Sequence, residues 1–170
     1  VTNVRDKGFY SNYTVRLGSY FYRKRFEDVD LLVSADYFNR LRKLRSAWYH
    51  RMFLTMGITA QANPVLNTPL FLRSDFGLTY FNNGTINADL RGTARVEGVF
   101  YNTTRVLGFR FAPFLFGDAC LVKPTKMNLD KAEFYSAWGG GVRTRNENLV
   151  LGTIELRGYF FPRVSGDIDR

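Results

Sequence analysis

The residues of this chain whose types could do chemistry are few. His50 is its single histidine and Cys120 its single cysteine. An intrachain disulfide and a cysteine-built zinc site are therefore excluded. His50 reads as a strand residue near an interface, and Cys120 as a packed small hydrophobe. Gly139-Gly140-Gly141 is followed by no Lys-Ser or Lys-Thr and sits in a strand pattern, which excludes a phosphate loop and points to tight curvature or close backbone approach. Asp30 and Asp36 share a strand face but stand several residues apart, unlike a catalytic pair. The basic run Arg40, Arg42, Lys43 and Arg45 suits phosphate groups, of lipid headgroups or of nucleic acid, and is read first as a solvated hairpin loop. With no metal cluster, triad or phosphate loop, neither catalysis nor a cofactor is expected.

A second set of charged residues recurs with a period of two. Arg91, Arg95 and Glu97 alternate with Gly92, Ala94 and Val96. Arg110 and Asp118 fall on one face against Phe109 and Phe111, and Arg143 alternates with Val142. Glu155 and Arg157 alternate with Ile154 and Leu156. Both signs on one strand face make ion pairs, and ion pairs along strands line a surface rather than run a reaction. The expectation is one continuous network, in which neighbouring strands bring Glu97 to Arg110 and Asp118 to Arg143 as cross-strand pairs.

Such a lining needs strands, and strands are what the pattern offers. Period-2 alternation marks 12–22, 29–38, 48–59, 91–100, 107–118, 138–145 and 153–160; with 69–77 this gives eight candidate strands. Turn signals separate them at 23–25, 40–46, 63–64, 82–84, 102–105, 123–130 and 145–148. Short connections between successive strands predict an all-β antiparallel meander. At 170 residues, and with no Pro/Ser-rich linker, residues 1–170 form one domain or a fragment of one. The uncharged run 52–72 contains Gly57, Pro64 and Pro69 and is no membrane-spanning helix.

Two all-β architectures fit: a soluble barrel with its apolar face inward around an apolar ligand, or an outer-membrane barrel with that face in lipid. The candidate strands are long enough to cross a bilayer, which takes about 9–11 residues. Aromatic pairs such as Phe21-Tyr22, Trp48-Tyr49 and Phe100-Tyr101 stand near strand ends, where membrane-interface girdles lie. The membrane barrel is the preferred reading, with Tyr13, Leu17, Phe21, Val96, Phe100, Phe109 and Phe111 facing lipid. A net charge of +9 suits polyanions, but the arginines are dispersed among lumen-type positions, so a nucleic-acid partner is not expected.

The second half of the chain resembles the C-terminal part of the BamA/TamA-like bacterial surface antigen barrels. The resemblance rests on 72–81, 91–100, 107–114, 139–150 and 155–162, with Gly108-Phe109-Arg110-Phe111-Ala112 and Arg145-Asn146-Glu147-Asn148-Leu149-Val150 the most specific strings. It implies a transmembrane barrel of sixteen strands, of which this chain would supply about eight, in the outer membrane of a Gram-negative bacterium. It also implies insertion or export of outer-membrane proteins, with lipid bilayer, lipopolysaccharide, client proteins and assembly-complex subunits as partners. The family's inward-folded loop carries an Arg-Gly-Phe tip; here Thr79-Tyr80-Phe81 stands in its place, and only Phe81 carries over. Tyr80 and Phe81 are thus the expected loop tip. Glu97 and Asp118 hold the positions of lumen acids, with Arg95, Arg110 and Arg143 as their candidate partners.

Overall fold

The computed structural model describes residues 8–22, 24–63, 70, 78, 88–146 and 153–162. They form one antiparallel sheet of eight strands: β1 (Tyr10–Tyr22), β2 (Arg25–Phe38), β3 (Arg42–Arg45), β4 (Trp48–Ala62), β5 (Ala88–Asn102), β6 (Phe109–Pro124), β7 (Glu133–Asn146) and β8 (Ile154–Phe160). The order is β1-β2-β4-β5-β6-β7-β8, a meander, with β3 hydrogen-bonded to β4 alone. The sheet is not closed: among the described residues β1 pairs only with β2 and β8 only with β7. A single 3-10 turn, Leu129–Lys131, interrupts the β6–β7 connection.

Alternating β-branched and aromatic residues favour the pleated conformation, and tight turns reverse it. Val106 and Phe109 exchange both backbone hydrogen bonds around Leu107 and Gly108, whose φ values are 51° and 82°. Positive φ at both central residues is the type I′ geometry that matches strand twist, and Gly108 takes it without steric cost. Lys24 (φ 65°) and Ser46 (φ 43°) occupy the turns after β1 and β3.

Two sequence expectations shift. The 40–46 stretch is not a simple loop: Arg42–Arg45 is a strand that pairs with Trp48 to His50. It has no apolar alternation, so periodicity could not reveal it. The candidate strand at 69–77 lies outside the described residues except for Leu70, which bridges to Ala88.

Register assigns every side chain to one of two faces. Asp36, Thr55, Arg95, Asp118 and Ala137 stand side by side on the inner face. Ala35, Met56, Ala94, Ala119 and Ser136 line up on the outer face. Outward positions in 13–17, 31–37, 48–60, 90–100, 111–121, 134–142 and 154–160 include no Asp, Glu, Lys or Arg. These outward side chains are bare: Tyr13 is 77% exposed, Leu115 65% and Leu156 78%, against 1% for Phe114 on the inner face. The expected lipid-facing residues Tyr13, Leu17, Val96, Phe100, Phe109 and Phe111 are all on this side, while Phe21 lies beyond a register shift in β1.

The core sits on the inner face in two clusters. Val99, Phe114 and Phe116 form one, with Phe53, Tyr101, Ala112 and Tyr159 packed around it. Ala88, Cys120, Val122, Tyr135 and Ala137 form the other, covered by Leu70 and Leu78 from the β4–β5 connection. Each apolar side chain fully buried there stabilises the fold by about 1.5–3 kcal/mol.

Candidate functional site

The charged residues of the inner face are held above an aromatic floor. At Gly139 and Gly141 a Cβ would collide with the Phe116 and Phe114 rings and with the Gly158 and Leu156 carbonyls. The glycines let those rings lie flat across β7, the close approach expected of Gly139-Gly140-Gly141. Above the rings lie the guanidinium groups. Arg143 sits 4.3 Å and Arg157 4.8 Å from the Phe114 centroid, and Arg157 is 5.2 Å from that of Phe116. Tyr159 closes the group with its ring edge-on to Phe116.

Carboxylates complete this layer. Arg143 donates two hydrogen bonds to Glu97, at 2.6 and 3.0 Å, and a third to Glu155 at 2.7 Å. Arg157 bonds Glu155 at 2.5 Å and lies 3.8 Å from Glu97. These four residues connect β5, β7 and β8 across the top of β6. Separately, Arg95 grips Asp118 in a bidentate pair at 2.8 and 3.0 Å. Bidentate charge-assisted bonds fix both partners in one orientation.

The pairing differs from the expected one, and register is the reason. Arg95 stands directly opposite Asp118, and Glu97 opposite Phe116. Arg110 is six positions from Phe116 along β6, roughly 20 Å away, so it cannot reach Glu97. Arg110 instead stands opposite Arg145 at the sheet's end. Asp118 faces Ala137 on β7, while Arg143 faces Ala112, so that arginine turns over Phe114 to Glu97. Arg91 is buried and donates to the Thr59 hydroxyl at 3.4 Å. The predicted single network is therefore two ion-paired groups, with Arg91 and Arg110 placed elsewhere on the same face. Glu97 and Phe111 do lie on opposite faces of the sheet. Tyr80 and Phe81 lie outside the described residues; Leu78, at the start of that loop, is buried against the inner face.

The aromatic floor was missed in the sequence. Phe109–Pro124 is apolar on both faces over most of its length, so alternation is silent there. The signal available was parity: Phe114 and Phe116 share the face of Asp118.

Taken together, the two groups set three arginines against three carboxylates on fixed supports. Arg51, Arg91, Arg110 and Arg145 share the face with them, so the inner face carries more arginines than carboxylates. Comparison with protein-family models, curated proteins and solved structures finds no match.

Proposed function

We propose that this chain is part of an outer-membrane β-barrel of a Gram-negative bacterium, with its outer face in lipid and its ion-paired face lining an aqueous lumen. One observation carries the reading: over the central rows of seven strands the outer face is free of formal charge, is made largely of exposed apolar side chains, and has no second layer over it among the described residues. Contiguous apolar patches of more than a few hundred Å² are rare on soluble monomers. The strands β1, β2 and β4 to β7 have 13 to 16 residues, enough to cross a bilayer at a tilt. Lipid tolerates no unpaired backbone edge, so on this reading β1 and β8 pair with further strands. A soluble carrier of an apolar ligand would not leave a face of exposed apolar side chains such as Tyr13, Leu115 and Leu156 turned to water.

Alkaline washing of membranes tests the placement. Retention in the pellet, with release as a folded species only in detergent, is the expected result. Release as a folded monomer into buffer alone would favour the soluble carrier.

Within that class, the residue-level resemblance over about 70–162 supports a role in inserting or exporting other outer-membrane proteins. Lipid, lipopolysaccharide, client barrels and assembly-complex subunits are then its partners. Vesicles containing the full-length protein should fold an added urea-unfolded outer-membrane barrel faster than empty vesicles. Equal rates would remove the assembly role while leaving the membrane placement intact.

A further inference from the structure

The ion-paired groups of the inner face balance in sign, so the chain's net charge of +9 resides elsewhere. Much of it gathers at one end of the sheet. Segments 39–47 and 103–108, which leave β2 and β5 at that end, carry Arg40, Arg42, Lys43, Arg45 and Arg105 and no acid. The two segments are joined: the Thr103 amide and hydroxyl both donate to the Ala47 carbonyl, at 2.9 and 3.2 Å. At the opposite end the signs mix: Lys24, Arg25, Lys123, Lys126 and Lys131 stand among Glu27, Asp28, Asp89 and Asp130, with Lys123 ion-paired to Asp89 at 3.0 Å.

The register of β3 then decides which way two of these cations face. Arg42 stands opposite His50, and Arg45, beyond a register shift after Lys43, stands opposite Trp48. His50 and Trp48 belong to the outer face, whereas Lys43 stands opposite the inward Tyr49. Asn39 locks the hairpin in place, its amide donating to the Met52 carbonyl at 3.1 Å and its side-chain oxygen accepting from the Met52 amide at 2.8 Å. Arg42 and Arg45 are exposed and have no acidic partner among the described residues. They are outward-facing cations at the margin of a face whose middle has none, flanked by Trp48 and by the His50–Phe100 ring contact at 4.9 Å.

We propose that Arg42 and Arg45, with Arg40 and Arg105 on the same rim, bind the phosphate of an anionic lipid headgroup whose acyl chains lie on the apolar face below. The proposal rests on the membrane placement given above and names a ligand for its rim. An amphipathic aromatic ring at headgroup depth with arginines just beyond it presents charge where lipid phosphates sit. An arginine on an outward strand position has no lumen partner to reach for, and its planar donors match a phosphate oxygen pair.

The chain's two tryptophans make the test. In the full-length protein with every tryptophan but Trp48 replaced by phenylalanine, Trp48 reports the rim; with Trp138 alone kept, Trp138 reports the middle of the outer face. Both are placed in uncharged detergent micelles and titrated with phosphatidylglycerol or phosphatidylcholine carrying brominated, fluorescence-quenching acyl chains. Trp138 should be quenched equally by the two lipids. Trp48 should be quenched at lower phosphatidylglycerol than phosphatidylcholine, a preference that Arg42→Gln/Arg45→Gln reduces by roughly 30-fold. Lys126→Gln/Lys131→Gln, at the other end, should leave it unchanged. Equal quenching of Trp48 by both lipids overturns the headgroup site while the Trp138 signal upholds the membrane placement. No quenching of either tryptophan overturns both. Displacement of phosphatidylglycerol by low concentrations of inorganic phosphate would assign the rim to free phosphate, against the proposal. Lipid-independent, salt-sensitive capture of an oligonucleotide, lost in the same arginine variant, would assign it to nucleic acid and likewise overturn it.

Discussion

Asp118 is 4% exposed and receives both donors of one Arg95 edge. The worth of such a pair lies less in its mutual attraction than in what its absence leaves behind. Desolvation of Asp118, and in part of Arg95, whose side chain stays 35% exposed, offsets much of the Coulombic gain, whereas a buried carboxylate stripped of its partner keeps the cost and loses the return. Arg95→Ala is therefore expected to destabilise the folded protein by about 1–3 kcal/mol. The double variant Arg95→Ala/Asp118→Ala should recover part of that loss. Urea unfolding of the detergent-folded protein measures both, together with the single variant Asp118→Ala. If the double variant is as unstable as the two single losses added together, the pair is not coupled and the geometry described here does not govern its energetics.

At the scale of elements, the three-glycine stretch of β7 is where sequence and packing meet most tightly. Gly141 has no room for a methyl group between the Leu156 carbonyl and the Phe114 ring, while Gly158, one strand away, has only the Gly140 carbonyl near, at 3.9 Å. Gly141→Ala should loosen the β7–β8 pairing and displace the ring that supports Arg143 and Arg157; Gly158→Ala should be tolerated. Amide hydrogen exchange along Ile154–Phe160 reads the difference. Equal protection in both variants would show that β7 can shift to make room. The same elements show what a sequence can disclose. Parity is legible in the sequence: alternation puts Arg91, Arg95, Glu97, Arg110, Asp118, Arg143, Glu155 and Arg157 on one face, and so does the register. Partners were not visible. A slip between strands by any even number of residues keeps every side chain on its face yet changes whom it meets; a Glu97–Arg110 pair needs a slip of six positions from the register observed, and the actual partner Arg143 reaches Glu97 from two strands away, which strand alternation does not disclose. The strand β3 was hidden because Arg42-Lys43-Leu44-Arg45 offers no apolar alternation, and Phe114 and Phe116 because β6 is apolar on both sides.

For the whole molecule, the decisive property is which side of the sheet is allowed to carry charge. A soluble sheet places charge on its exposed face and apolar residues on its buried one. Here the exposed face has none over its central rows, and the buried face carries Arg91, Arg95, Glu97 and Asp118. The two environments give opposite expectations for one substitution. Leu115 is 65% exposed at an outward position of β6. In water, replacing an exposed leucine by arginine changes stability by no more than about 0.5 kcal/mol and improves solubility. In the middle of a bilayer, the same arginine costs about 2–4 kcal/mol. An inward control separates this from general intolerance: Thr14 is exposed on the inner face of β1, opposite Ser34, and on the proposed placement an arginine there faces water. In lipid vesicles, Leu115→Arg should lower the urea midpoint strongly and Thr14→Arg hardly at all. A Leu115→Arg protein as stable as the parent would mean that this face meets water, and the lumen assignment of the opposite face would fall with it.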